Sequence, residues 1–155
     1  MNDVYYLGNE DFLKLPMTAF FSSRNINPQT LLCCYDWATE QRKSGHCVIS
    51  GFHSQVEKDV LHFLLKGKQP VILVLGRALY KKIPDELKLP LEESRLLIIS
   101  PVSQTCKRNS EKSTEIRNRY IAEHADKIVF GSLNLKGKLH ELYLRYSAKS
   151  IILKP

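Results

Sequence analysis

The 155-residue sequence predicts a three-layer, Rossmann-like α/β fold, a mainly parallel sheet with helices on both faces. Three observations predict it. Short runs of consecutive apolar residues, as in strands buried on both sides, recur along the chain. Segments with apolar residues at helical spacing separate them. Most of the runs close on Ser, Gly or Pro, residues that turn a chain out of a sheet. The length, with 43% hydrophobic and 25% charged residues, suits a single domain over residues 1–155.

Residues 1–17, with mixed aromatics, Gly8 and Pro16, read as a lead-in segment. Thr18-Ala19-Phe20-Phe21 then forms a first strand and Ser22-Ser23-Arg24 its exit. From Pro28, the residues Leu31, Leu32, Tyr35, Trp37 and Ala38 mark a helix, with proline at its start and Gly45 at its end. Cys47-Val48-Ile49 is a second strand, Ser50-Gly51 its breaker, and Val56, Val60, Leu61, Leu64 and Leu65 a second helical face closing at Gly67. Val71-Ile72-Leu73-Val74-Leu75 ends at Gly76, and Leu96-Leu97-Ile98-Ile99 at Ser100-Pro101. The stretch from Ser103 to Ser113 is polar and basic, with the character of a lid. Ile116, Tyr120, Ile121 and Ala125 make another helical stripe, followed by a strand at Ile128-Val129-Phe130. A helix through Leu135, Leu139, Leu142 and Tyr146 leads to a last strand at Ile151-Ile152-Leu153, short enough to serve as a sheet edge.

In such folds ligands sit at the carboxyl ends of the strands. The exits at Ser22-Ser23-Arg24, Ser50-Gly51, Gly76-Arg77, Ser100-Pro101 and Gly131-Ser132 therefore converge on one edge, rich in Ser, Gly and Arg. The formal net charge is +7, and residues 1–40 carry two basic against five acidic side chains, so the positive excess lies after residue 40. That balance favours polyanionic or phosphorylated partners.

Other chemistries lack support. No apolar stretch approaches a bilayer span, and the N-terminus is acidic and polar, so a cytoplasmic protein without a membrane segment is expected. The four cysteines form no C-x-x-C pair and the five histidines are dispersed, which argues for reduced thiols and against a metal site. Neither a G-x-S-x-G elbow nor a Walker A sequence occurs, and no cofactor is expected.

Two segments could hold an anion. At Ser50-Gly51, between a strand and a helix, a missing side chain lets backbone N–H groups approach a phosphate, although the turn needs a small residue in any case. Arg117-Asn118-Arg119 opens a helix in this reading, and its arginines stand about 200° apart around the axis, so both cannot face one phosphate. They could equally pair with Glu115 and Glu123. Tyr80, beside Lys81-Lys82, could stack on a base or be a partly buried tyrosine among solvated lysines.

These residues resemble the DprA/Smf family of DNA-processing proteins over residues 18–142. Ser22-Ser23-Arg24 is similar to the family's Gly-Ser-Arg and Val48-Ile49-Ser50-Gly51 to its Val-Ser-Gly. Glu57 falls at the acid of Gly-Ile-Asp, and Leu61-His62 at Ala-His. Val71 to Gly76 resembles the central strand with its closing glycine, and Ile98-Ile99-Ser100 the strand ending in Ser-Glu. Most specific is Arg117-Asn118-Arg119-Tyr120-Ile121-Ala122 against Arg-Asn-Arg-Ile-Ile-Ala. The resemblance implies a basic strand-end pocket for single-stranded DNA or a nucleotide, without catalysis, formed by Ser22, Ser23, Arg24, Ser50, Gly51, Gly76, Arg117, Asn118 and Arg119. It also implies a homodimer. Departures are Ser22 for Gly, Phe52-His53-Ser54-Gln55 for a small loop, and Pro101 for an acid. A chain reduced to the family's core is expected to keep the pocket without the recombinase interface.

A second resemblance, to the LOG-type phosphoribohydrolases, rests on Gly137-Lys138-Leu139-His140-Glu141-Leu142 against Gly-Thr-Leu-Glu-Glu-Leu. It would make Glu141 the catalytic glutamate, with Arg117 or Arg119 as phosphate partner, cleaving a nucleoside 5'-monophosphate. Of the Pro-Gly-Gly before that motif only Gly137 has a counterpart. A nucleotide sensor or dimeric scaffold is the third alternative.

Overall fold

A computed structural model describes residues 3–155. One seven-stranded sheet runs through it in the order β1-β5-β4-β3-β2-β6-β7. The strands are β1 (Tyr5–Gly8), β2 (Met17–Phe21), β3 (Cys47–Ser50), β4 (Val71–Val74), β5 (Leu96–Ser100), β6 (Lys127–Phe130) and β7 (Ser150–Ile152). All neighbours are parallel except β1, which pairs antiparallel with β5 from Tyr5 opposite Ser100 to Gly8 opposite Leu97. The helices are α1 (Pro28–Ser44), α2 (Gln55–Leu65), α3 (Asp85–Glu92), α4 (Glu111–His124) and α5 (Lys138–Arg145).

Successive strand residues point to opposite faces, and each face meets its own helix layer. Phe20, Val48, Val71, Leu73, Leu96 and Ile98 pack with α1, α2 and α3 through Cys34, Ala38, Val60, Leu64 and Leu87. Ala19, Phe21, Ile49, Ile72, Leu97 and Ile99 pack with α4 and α5 through Ile121, Ala122, Leu139 and Leu142. Burial of an aliphatic side chain of this size contributes about 1.5–3 kcal/mol, so these two seams hold the layers together.

Two sequence expectations are corrected here. Residues 1–17 are not merely a lead-in, because Tyr5–Gly8 is an edge strand and Glu10–Lys14 a 3₁₀ turn capped by the Asn9 side chain. Arg117 does not open its helix. The polar stretch before it already forms the first six residues of α4, started by Ser110, whose hydroxyl accepts from the Ser113 N–H while the Ser113 hydroxyl accepts from the Ser110 N–H. The expected lid is strapped across the β4 exit, with the Ala78 N–H donating to the Cys106 carbonyl at 2.7 Å and the Leu79 N–H to Gln104 Oε1 at 3.0 Å.

From β2 the chain steps through β3 and β4 to β5, then returns to place β6 on the other side of β2. The strand order therefore reverses at β2, and ligands of open α/β sheets bind at the crevice this reversal creates.

Candidate nucleic-acid interface

At the carboxyl ends of β2 and β3 the organising group is Glu57, the third residue of α2. Its carboxylate accepts the Ser22 N–H at 2.9 Å, the His53 N–H at 2.9 Å and the Ser54 N–H at 3.2 Å, while Ser54 caps α2 in return. Burial pushes the Glu57 carboxyl above the usual carboxylate range, and the three N–H donors and the nearby Arg117 charge oppose that shift. The start of α2 thus carries its own anion, and capacity for an external one passes to side chains around it.

Arg117 is the foremost of these. It is only 6% exposed, in the second turn of α4, and its Nε and Nη2 donate to Asn118 Oδ1 at 3.2 Å. Nη1 has no protein acceptor among the described residues and is not sealed from solvent, so it faces the open site. Burial lowers the Arg117 pKa and Glu57 raises it, and a guanidinium stays charged through such opposing shifts. A β-carbon on Gly51 would lie 2.7 Å from Arg117 Nε, so this glycine makes room for the buried guanidinium. The next residue, Phe52, turns the chain with φ 45°, a costly conformation for a residue with a bulky side chain.

Arg117 separates two clefts. The switch-point cleft, about 640 Å³, gathers Arg24, Lys58 and Lys138 beside Arg117, with Glu57 as its sole carboxylate. The tyrosine cleft, about 570 Å³, lies toward β4 and has Tyr80 and Arg77 in its wall. His53 borders both. Burial first, then the charges of Arg117, Lys58 and Arg24, hold its imidazole below the usual histidine range.

The other sequence candidates take different places. Ser22 is buried, with its hydroxyl donating to the Ser23 carbonyl and accepting from the Ser132 N–H. Ser23 donates to the Ser132 carbonyl, tying the β2 exit to the β6 exit. The Ser50 hydroxyl is fully buried and bridges the Phe20 carbonyl and the Phe52 N–H. These serines brace the loops. At Gly76 a β-carbon would stand 2.6 Å from Asn109 Oδ1, so the glycine admits the loop before α4. Asn118 holds the Arg117 fork.

Arg119 is exposed on another face of α4, in a groove of about 240 Å³ shared with Glu115, Glu141 and Arg145. Glu141 lies in that groove and Arg117 does not, so the carboxylate–arginine pair needed for phosphoribohydrolysis is assembled only with Arg119, away from the switch point. Lys138 pairs with Glu111 at 2.8 Å and with Glu115, fastening the start of α5 to α4. Among the described residues no cluster of three metal-ligating side chains occurs, and no helix is long and apolar enough to cross a membrane.

Three lining residues, His53, Lys58 and Lys138, belong to no anion-binding motif in the sequence. Glu57 could have been found as a brace: Ser54-Gln55-Val56-Glu57 has the S-x-x-E spacing of a capping box.

Fold and site together define a Rossmann-like domain with a cationic cleft at the switch point of its sheet. Its family follows from the sequence: the model of DNA recombination-mediator protein A matches residues 3–139, and the chain belongs to that family. Among solved structures, DNA processing protein A from Helicobacter pylori, described for its single-stranded DNA binding mode, superposes with a TM-score of 0.79 at 21% identity. The match covers 98% of this chain and 72% of that one. DNA processing protein A from Streptococcus pneumoniae gives 0.79 at 18% identity, over 98% of this chain and 55% of that one, so this chain spans little more than half its length. A molybdenum cofactor binding protein from Rippkaea orientalis shares the fold at 0.61 and 16% identity, over 91% of this chain and 77% of that one. No curated protein matches the sequence.

Proposed function

We propose that the chain binds single-stranded DNA in the switch-point cleft, through electrostatic contacts to the backbone and without catalysis. The observation that carries this reading is Arg117, a buried guanidinium with a free donor in a cleft that holds two more cationic side chains outside any ion pair, Arg24 and Lys58, and one carboxylate already saturated by N–H groups. Such a site has lost the hydration of its charge in advance and gains most from a phosphate. The family assignment points the same way, and the H. pylori relative is described as binding single-stranded DNA.

Arg24 and Lys58 extend the positive lining of the cleft beyond Arg117, while Lys138 at its edge is held by Glu111 and Glu115. Three cationic contacts to a single strand, from Arg117, Arg24 and Lys58, give a slope of about −2 in a plot of log affinity against log salt. Fluorescence anisotropy of a labelled oligothymidylate, titrated from low to moderate salt, reads that slope directly. The expected result is length-dependent binding with that slope, poor competition by nucleoside monophosphates, and strand and nucleotides recovered intact. Affinity independent of salt, or release of free base from a nucleotide, overturns the proposal.

A further inference from the structure

Two loops outside the switch-point cleft carry a second positive surface. Residues 77–84, after β4, and residues 103–110, ahead of α4, hold Lys81, Lys82, Lys107 and Arg108, all four exposed. The loops are fastened to each other. Besides the bond from Ala78 to Cys106, Gln104 ties three segments: its Oε1 accepts the Leu79 N–H at 3.0 Å, and its Nε2 donates to Ser100 Oγ at 3.0 Å and to the Val102 carbonyl at 3.1 Å. The four cations therefore ride on one braced platform over the β4 exit.

Their charge is left uncompensated. Residues 76–84 and 94–110 contain no Asp or Glu, and among the described residues none of the four forms an ion pair. Of the carboxylates flanking these loops, Asp85 is paired with Lys88, Glu93 with Arg95 and Glu111 with Lys138, while Glu86 lines the tyrosine cleft. Like charges held together on a braced loop repel one another, and a polyanion relieves that repulsion.

The form of the polyanion follows from what the platform lacks. No large hydrophobic side chain is exposed in either loop, so a protein partner finds no anchor. Their one aromatic residue, Tyr80, is half-buried under the Arg77 guanidinium in the cleft wall, so no ring is offered to an unpaired base. The phosphates of a duplex, whose bases are already paired and stacked, need neither. The β4 exit lies two strands from β2 in the sheet, about 10 Å at the usual strand spacing, so a strand in the switch-point cleft meets the platform across the Arg117 wall.

We infer that Lys81, Lys82, Lys107 and Arg108 hold the phosphate backbone of a duplex arm adjoining the bound single strand, so that the chain favours single-stranded DNA that continues into duplex; this rests on the strand-binding reading above.

The test compares a labelled oligothymidylate with a duplex bearing that oligothymidylate as a single-stranded tail. Both are titrated by anisotropy with wild type, Arg117→Ala and a variant combining Lys81→Gln, Lys82→Gln, Lys107→Gln and Arg108→Gln. The wild type is expected to bind the tailed duplex about tenfold more tightly than the tail alone, with a log–log salt slope steeper by about 3 to 4, as four phosphate contacts to a duplex require. The fourfold variant brings that ratio within about twofold and removes the extra slope, while its affinity for the tail alone stays within about twofold of wild type. Its unfolding temperature at low salt is expected to be no lower than that of wild type, because the substitutions relieve repulsion between neighbouring charges. Arg117→Ala weakens both DNAs by the same factor and leaves the ratio unchanged. A wild-type ratio near one, or a ratio that survives in the fourfold variant, overturns the inference and leaves strand binding intact. An oligoglutamate of equal charge that displaces the tailed duplex as well as a blunt duplex does would assign the platform to an acidic protein and also overturns it. Failure of the wild type to bind the oligothymidylate removes the strand-binding reading and this inference with it.

Discussion

Arg117 and Arg119 stand two residues apart on one helix and meet opposite surroundings. Arg117 is sunk beneath the strand ends, gripped by Asn118, with Arg24 and Lys58 beside it and one carboxylate, already saturated by N–H groups. Arg119 is exposed in the groove between α4 and α5, where Glu115 and Glu141 face Arg119, Lys138 and Arg145. The difference teaches that capacity for an external anion comes from what surrounds a charge. A guanidinium in water beside carboxylates gains little from a phosphate, whereas one already stripped of water and lacking a full set of acceptors gains much.

The comparison rests first on Glu57, which anchors the Arg117 side. Glu57→Ala leaves three backbone N–H groups and a buried guanidinium without their carboxylate, and is expected to lower the unfolding free energy by about 3 kcal/mol in urea denaturation. A loss below about 1 kcal/mol would mean that the two sides differ less in their bracing than their geometry indicates.

The next largest effect sets the arginines against each other. Arg117→Ala is expected to weaken oligothymidylate binding at least about tenfold, and Arg119→Ala by less than about twofold, both by anisotropy at the same salt. Equal losses would break the comparison.

A smaller effect sharpens it. His53 stays neutral near pH 7 because burial and the charges of Arg117, Lys58 and Arg24 disfavour its cation. A bound phosphate reverses that balance and raises the pKa, so binding takes up a proton and affinity rises as pH falls. From about pH 7.5 to pH 5.5 the wild type should gain a few-fold more affinity than His53→Gln. The stability of the free protein moves the other way: with the folded pKa lowered, the unfolded chain binds the proton more readily, and stability falls as pH drops below about 6.5.

How much of this the sequence discloses depends on where each signal resides. The parallel strands are legible because Val71 to Val74 and Leu96 to Ile99 are apolar throughout, as burial on both faces demands. Helix α1 is legible at both ends, from Pro28 in its first turn to Gly45 in the left-handed cap. β1 is not, since Tyr5–Gly8 has no buried residue of its own pattern and becomes a strand only by pairing with β5. Nor is α3, which lacks a capping side chain and carries Pro90 inside it. The early turns of α4 are hidden by their polarity, because Ser113 is the one buried residue before Arg117.

At the site, the opposed directions of Arg117 and Arg119 follow from helix geometry and are readable in advance. Which of the two lies beneath the strand ends is set by how α4 packs across the sheet, through Ile121 and Ala122, and no local pattern encodes it. The serines show the converse. Ser22 and Ser50 sit at the expected strand ends, yet their hydroxyls are consumed by backbone groups of neighbouring loops, partners that only the assembled fold supplies.

The close approach of Gly51 to Arg117 also has a genetic reading. With the guanidinium in place, any side chain at position 51 collides with it, so alanine there acts as a lesion of the arginine. Once position 117 is small, the obstruction is gone and position 51 is released from that constraint. The two codons, 66 positions apart in the chain, form one epistatic unit in which the order of mutation decides which intermediate is viable.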